Sequence, residues 1–178
     1  MIYFTADTHF NHPLMARLRK FTSVGAMNVF IIKIWNKTIK SKDIVYHLGD
    51  FCFGGHDIVK KFRYQLNGQI HLIIGNHDFS NRIQNIDGLF TSLSDIKIIK
   101  YNHQKIVLCH YAMRVWPSSH YNTWQLYAHS HSKLPPIGKQ WDVGLDNNNF
   151  KILSIDNIID IMEKRPDNLN LIRKKEED

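Results

Sequence analysis

Seven side chains in this sequence have the types and positions to hold divalent cations: Asp7, His9, Asp50, Asn76, His110, His129 and His131. They are imidazoles, carboxylates and one amide, with no thiolate among them. Such donors suit manganese first, with iron, zinc, nickel or cobalt as alternatives, rather than calcium or an all-oxygen magnesium site. Seven donors are too many for one tetrahedral ion. Two divalent transition-metal ions sharing a bridging carboxylate are the expectation, at the roughly 3.5–4 Å separation of two-metal hydrolases. Such a pair can polarise a substrate oxygen and acidify a bridging water, which is the chemistry of two-metal hydrolysis. Of the 11 histidines, His47, His56, His71 and His103 read more simply as structural or surface residues.

The elements that must position these residues can be read from hydrophobic periodicity. Residues 2–6 form an apolar run, predicted as a buried strand ending at Asp7. Apolar residues at 27, 30, 31, 34 and 35 predict a helix over 27–40. Strands are predicted at 43–48 and 70–74, broken by Gly49-Asp50 and Gly75-Asn76, with a helix at 56–65 between them. A hairpin follows at 96–101 and 105–109, then strands at 124–128, 140–143 and 151–153. Ser154 is placed to cap a last helix. Alternating strands and helices followed by a strand-rich half predict an α/β fold, two mixed β-sheets packed as a sandwich flanked by helices. Residues 1–165 form one domain on this reading, and 166–178 a loose polar tail. Ligands of α/β sheets bind beyond the carboxyl ends of strands, and each predicted strand delivers polar residues to that rim. In Asp7-x-His9 and His129-x-His131, alternation along an extended chain would aim both side chains to one side.

The ordered blocks Asp7-Thr8-His9, Gly49-Asp50, Gly75-Asn76-His77-Asp78, His110 and Ala128-His129-Ser130-His131 resemble the calcineurin-like metallophosphoesterase superfamily. The resemblance implies a phosphoesterase working by attack of a metal-bridging hydroxide. It implies that Asp7, His9 and His131 bind one metal, that Asn76, His110 and His129 bind the other, and that Asp50 bridges them. His77 would contact the phosphoryl group or protonate the leaving group, with Asp78 orienting it. One departure is Ala128, where the family usually has glycine. A positive φ there would cost about 1 kcal/mol.

Other residues are weaker candidates. Asn11 and His12 follow the first ligand pair and are placed to reach a phosphate or leaving group. Arg114 could clamp a phosphate oxygen, and His120 lies in a loop that could border the mouth. Asp142 and Asp146 read as a strand end and a turn. Phe51, Phe53, Trp116, Tyr121 and Trp124 read as core before they read as base-stacking rings. Residues 10–64 hold ten Lys/Arg against three Asp, which accounts for the net charge of +7. Arg17, Arg19, Lys20, Lys33, Lys37 and Lys40 fit a solvated helix face better than a nucleic-acid surface.

The chain has 178 residues, 43% of them hydrophobic, enough for one core without staples. Cys52 and Cys109 suit small buried hydrophobes, not a disulfide framework. No leader or membrane-spanning run is visible in the sequence, so a cytoplasmic protein without a membrane partner is expected. The intervals between ligand blocks are 41, 26, 34 and 19 residues, too short for a cap domain. The site should therefore be open to a phosphorylated small molecule or nucleotide. Alternatives are a nuclease acting on DNA or RNA, and a catalytically weak metal-dependent binder of phosphorylated ligands.

Overall fold

The computed structural model describes residues 1–80, 83 and 88–172. Its first sheet runs in the order β4 (Ser92–Ser94), β3 (Gln69–Ile73), β2 (Ile44–His47), β1 (Ile2–Thr5) and β9 (Leu153–Ser154). The first four strands are parallel to their neighbours, and β9 is antiparallel to β1. The second sheet runs β5 (Ile96–Tyr101), β6 (Gln104–Cys109), β7 (Trp124–Tyr127) and β8 (Gln140–Asp142). There β5 and β6 form the hairpin, while β6, β7 and β8 are parallel. Both sheets are therefore mixed, as the element pattern predicts. Strand β4 was not expected, because three residues of Ser-Leu-Ser carry no readable period.

Side-chain alternation along the first sheet builds two cores. On one face Val45, Ile70 and Leu72 meet Met27, Ile31 and Trp35 of α2 (Val24–Thr38) and Val59 and Phe62 of α3 (His56–Arg63). On the other face Phe4, Tyr46 and Ile73 pack against Ile106, Leu108 and Leu126 of the second sheet. Ile155, Ile158 and Met162 of α5 (Ile155–Glu163) complete that inner core. The expected sandwich flanked by helices is present.

Local chemistry sets the helix starts. Helix α2 begins at Val24, earlier than its periodicity indicates, because the Ser23 hydroxyl accepts the Ala26 amide at 3.0 Å. Ser154 caps α5 in a reciprocal box with Asn157. A short helix α1 (Pro13–Leu18) was missed, although Pro13 at its first position is a starting cue.

Beyond Pro166 the chain hydrogen-bonds back to the domain through Asn168 and Ile172. The buried Asn168 donates through Nδ2 to the carbonyls of Ser119 and Thr123, both at 2.9 Å, and accepts the Lys139 amide at 2.8 Å. Residues 173–178 lie outside the described residues. Among the described residues, no helix is long and apolar enough to cross a membrane.

The parallel strands end at one rim, and the loops beyond them stay in step. The amides of Asp7, His9 and Phe10 donate to the carbonyls of Gly49, Asp50 and Phe51, each at 2.9 Å. In the second sheet the Ala128 amide donates to His110 at 2.9 Å. A bridge between Ala6 and Gly144 stitches the two rims together.

Candidate metal centre

Every loop that carries a candidate ligand opens on that rim, yet the backbone there is not extended. Asp7, His9, Asp50, His129 and His131 have φ of 54°, 47°, 56°, 68° and 46°. Each left-handed non-glycine residue costs about 1 kcal/mol or more and persists only where its surroundings over-determine it. The expected alternation along an extended strand is therefore wrong for both the D-x-H and H-x-H pairs. Their side chains converge because left-handed residues flank Thr8 and Ser130. Ala128 is not among the positive-φ residues, so alanine there carries no such cost. At Gly49 the turn does need glycine. Its φ is 92°, and a Cβ would lie 2.6 Å from His110 Nδ1 and 2.7 Å from the Gly75 amide.

Two groups of ligand atoms form. Donor atoms of Asp7, His9 and His131 lie within 4.8 Å of one another, as do those of Asp50, His110 and His129. Asp50 Oδ2 stands between the groups, 3.7 Å from His9 Nε2 and 3.6 Å from His110 Nε2. Asn76, at the start of α4 (Asn76–Ser80), brings its Oδ1 to 3.3 Å from His110 Nε2. The structure thus brings all seven candidates together.

Their chemistry fits cations. Asp7 Oδ1 and both ring nitrogens of His9 are buried with no hydrogen-bond partner among the described residues. Burial, then the Asp50 and Asp142 carboxylates, push Asp7 well above the usual carboxylate range, although the His129 amide donates to it at 3.1 Å. Burial, then the positive charge of Arg19, pushes His9 far below the ordinary histidine value. Crowded carboxylates and neutral imidazoles of this kind are stabilised by a divalent ion.

A second ring of contacts sets the ligand tautomers. His110 Nδ1–H donates to the Leu48 carbonyl at 2.7 Å, which leaves Nε2 bare towards Asp50. His131 Nδ1 donates to Asp146 Oδ2 at 2.7 Å, which likewise frees its Nε2. Arg19 holds Asp146 in a two-pronged pair, Nε to Oδ1 at 2.8 Å and Nη2 to Oδ2 at 2.7 Å. The same guanidinium donates to the carbonyls of Asp7 at 2.6 Å and Thr8 at 3.2 Å. Burial raises the Asp146 carboxyl, but the bonds from His131 and Arg19 outweigh it and hold the group well below the usual range. Asp146 is thus more than a turn residue, and Arg19, only 3% exposed at its side chain, is not on a solvated face. Asp142 braces the H-x-H loop by accepting the Ser130 hydroxyl at 2.6 Å.

Asp78 differs from expectation. Its carboxylate accepts the amides of Asp50 at 2.7 Å, Phe51 at 2.9 Å and Gly75 at 3.0 Å. Burial pushes it up to about 7 against those three donors. It binds the turn that carries Asp50 to the turn that carries Asn76, instead of orienting the His77 ring, because it sits fully buried beneath both turns. His77 holds its backbone amide on Asp50 Oδ1 at 3.0 Å and its ring beside His9 and His12, with ring centroids 5.1 and 5.3 Å apart. Donor atoms of His9, His12 and His77 also lie within 4.8 Å of one another.

The secondary candidates divide. His12 joins the site, whereas the Asn11 side chain is committed to the Phe53 carbonyl at 3.0 Å. Arg114 lines a separate cavity of about 160 Å³ with Val115, Trp116 and Asn168, which contains none of the seven ligand candidates. The His120 ring packs on Tyr121, and its carbonyl accepts the Ile172 amide at 2.9 Å, so its loop anchors the C-terminal segment. Phe51 and Trp116 are core as expected, but Phe53 is 44% exposed beside His12. Tyr111, which the sequence reading passed over, lies against both His110 and His129; its one signal was its place directly after a ligand. A cavity of about 350 Å³ adjoins His131, walled by Met15, Leu18, Arg19 and Lys133.

Comparison with known proteins identifies the family. The family model of the calcineurin-like phosphoesterase superfamily domain matches residues 1–135. The chain is 32% identical to the uncharacterized protein MJ1445 of Methanocaldococcus jannaschii, covering 92% of each. The crystal structure of AQ665 from Aquifex aeolicus, a protein of unknown function, matches in fold with a TM-score of 0.69 and 23% identity. That match covers 90% of this chain and 98% of AQ665. YfcE, a phosphoesterase from E. coli, gives a TM-score of 0.43 at 16% identity, over 80% of this chain and 75% of its own.

Proposed function

This chain belongs to the calcineurin-like phosphoesterase superfamily, and from that premise we propose that it hydrolyses a phosphodiester or phosphomonoester with two divalent transition-metal ions, manganese first among them. The observation that carries the reading is the place of Asp50 Oδ2, within 3.7 Å of a histidine nitrogen from each ligand group. Asp7, His9 and His131 would hold one ion, and Asn76, His110 and His129 the other, with Asp50 shared. When bound, the ions supply neutralising charge for the phosphoryl oxygens and an acidified water.

The chain's own groups do the rest. Asp78 keeps the Asp50 and Asn76 turns in register, so these two side chains keep a fixed spacing. Asp146 and Leu48 keep the ring proton on Nδ1 of His131 and His110. His77 and His12, outside the carboxylates, would face the ester: His77 would give an imidazole proton to the departing oxygen, and His12 would bind a phosphoryl oxygen.

The test is hydrolysis of p-nitrophenyl mono- and diesters by Mn-loaded protein. Asp50→Asn should remove most turnover and lower bound metal, because the shared carboxylate loses its charge. Full activity in that variant would end the two-ion reading.

A further inference from the structure

Two large aromatic side chains stand exposed at this site, Phe53 at 44% and Tyr111 at 47%. They flank different parts of the site, Phe53 beside His12 and His77 and Tyr111 beside His110 and His129. The Phe53 ring lies 4.6 Å from that of His12 and 6.2 Å from that of His77. The Tyr111 ring lies 5.0 Å from both His110 and His129. Phe53 is not carried on a loose loop. Its amide donates to Phe10 at 2.7 Å, its carbonyl accepts Asn11 Nδ2 at 3.0 Å, and the Asn11 amide is itself held by Asn28 Oδ1 at 3.0 Å. A fixed, exposed ring beside a polar site is a preorganised apolar platform.

A nucleotide carries an aromatic base one sugar away from its phosphate, and each exposed ring borders histidines of the candidate site. An aliphatic ester arm would gain little from an open flat ring, whereas any nucleobase has a π-face to stack on it. Resting on the phosphoesterase reading, we propose that Phe53 and Tyr111 are base-stacking platforms and that the substrate is a nucleotide ester.

Calorimetric titration of the Mn-loaded protein with inorganic phosphate, ribose 5-phosphate and adenosine monophosphate tests this. The nucleotide should bind roughly tenfold or more tighter than ribose 5-phosphate, the usual scale of one stacked base. Phe53→Leu and Tyr111→Leu, singly or together, should abolish that margin and leave phosphate binding unchanged. Equal binding of nucleotide and sugar phosphate, or a margin that survives the double variant, overturns the stacking proposal alone. If none of the three binds and no chromogenic ester is cleaved, the phosphoesterase reading itself fails. Thymidine monophosphate against a thymidine tetranucleotide identifies the source of the base. Tighter binding of the longer ligand names a strand and equal binding a free nucleotide, and either result keeps the stack.

Discussion

Asp146→Asn should disturb both stability and metal binding, since this one carboxylate faces Arg19 and His131 together. The substitution keeps size and one acceptor oxygen but removes the charge that faces Arg19 and His131. Arg19 is 3% exposed at its side chain and Asp146 18%, so the pair is largely desolvated. Removing one partner of a buried pair costs about 3–5 kcal/mol. Here Arg19 keeps the Asp7 and Thr8 carbonyls, which places the loss near the lower end, about 3 kcal/mol. For a chain of this length that is a fall in Tm of roughly 6–12 °C, measured on chelator-treated protein. The difference should narrow as pH falls. The Asp146 carboxyl is held below its ordinary range, so its contribution is complete above the unfolded value and fades towards the lower folded one. The His131 proton also loses its charged acceptor at 2.7 Å, and loss of such a partner weakens metal binding about 10–100-fold. Manganese titration should show one weakened site and one unchanged site. Arg19→Lys is the control. It should lower Tm while weakening metal binding less than Asp146→Asn does, because the carboxylate facing His131 remains. Two unaltered binding steps in Asp146→Asn would refute the argument that Asp146 aims His131.

Three further outcomes are expected. His77→Ala should retain both metals by elemental analysis yet lose about 10²–10⁴-fold in rate, most for alkyl leaving groups; loss of metal would make His77 a ligand. His47 is buried, with Nε2 at 2.9 Å from the Thr8 hydroxyl, which itself donates to Phe51. Burial, then His110, pushes its pKa down to about 3. Between the ordinary value of 6.5 and that point only the unfolded chain takes up the proton. Stability should therefore fall with pH by at most about 1.4 kcal/mol per unit. Urea midpoints of metal-free His47→Gln should decline less steeply over that window, and parallel curves would refute the assignment. Gly49→Ala should cost about 2–4 kcal/mol in thermal unfolding, from the left-handed φ and from the overlap with His110 and the Gly75 backbone. A variant as stable as the parent would show that this close approach can relax.

The amino-acid sequence alone determined which residues are candidate donors, their order along the chain, and their position at strand ends. These are local properties: residue type, the apolar runs before Asp7, Asp50, Asn76 and His129, and glycine at 49 and 75. The sheet-on-sheet plan was legible for the same reason, because alternation and helical period are written within single elements. What the tertiary structure decided depends on which loops become neighbours. Arg19 and Asp146 are 127 positions apart and meet because the Ala6–Gly144 bridge joins the rims of the two sheets. Asp78 reaches the Asp50 turn instead of the neighbouring ring because β2 and β3 lie side by side. The left-handed backbone at five candidate ligand positions is disfavoured by local propensity. Only a packed rim over-determines such conformations, so no short stretch of sequence could announce them.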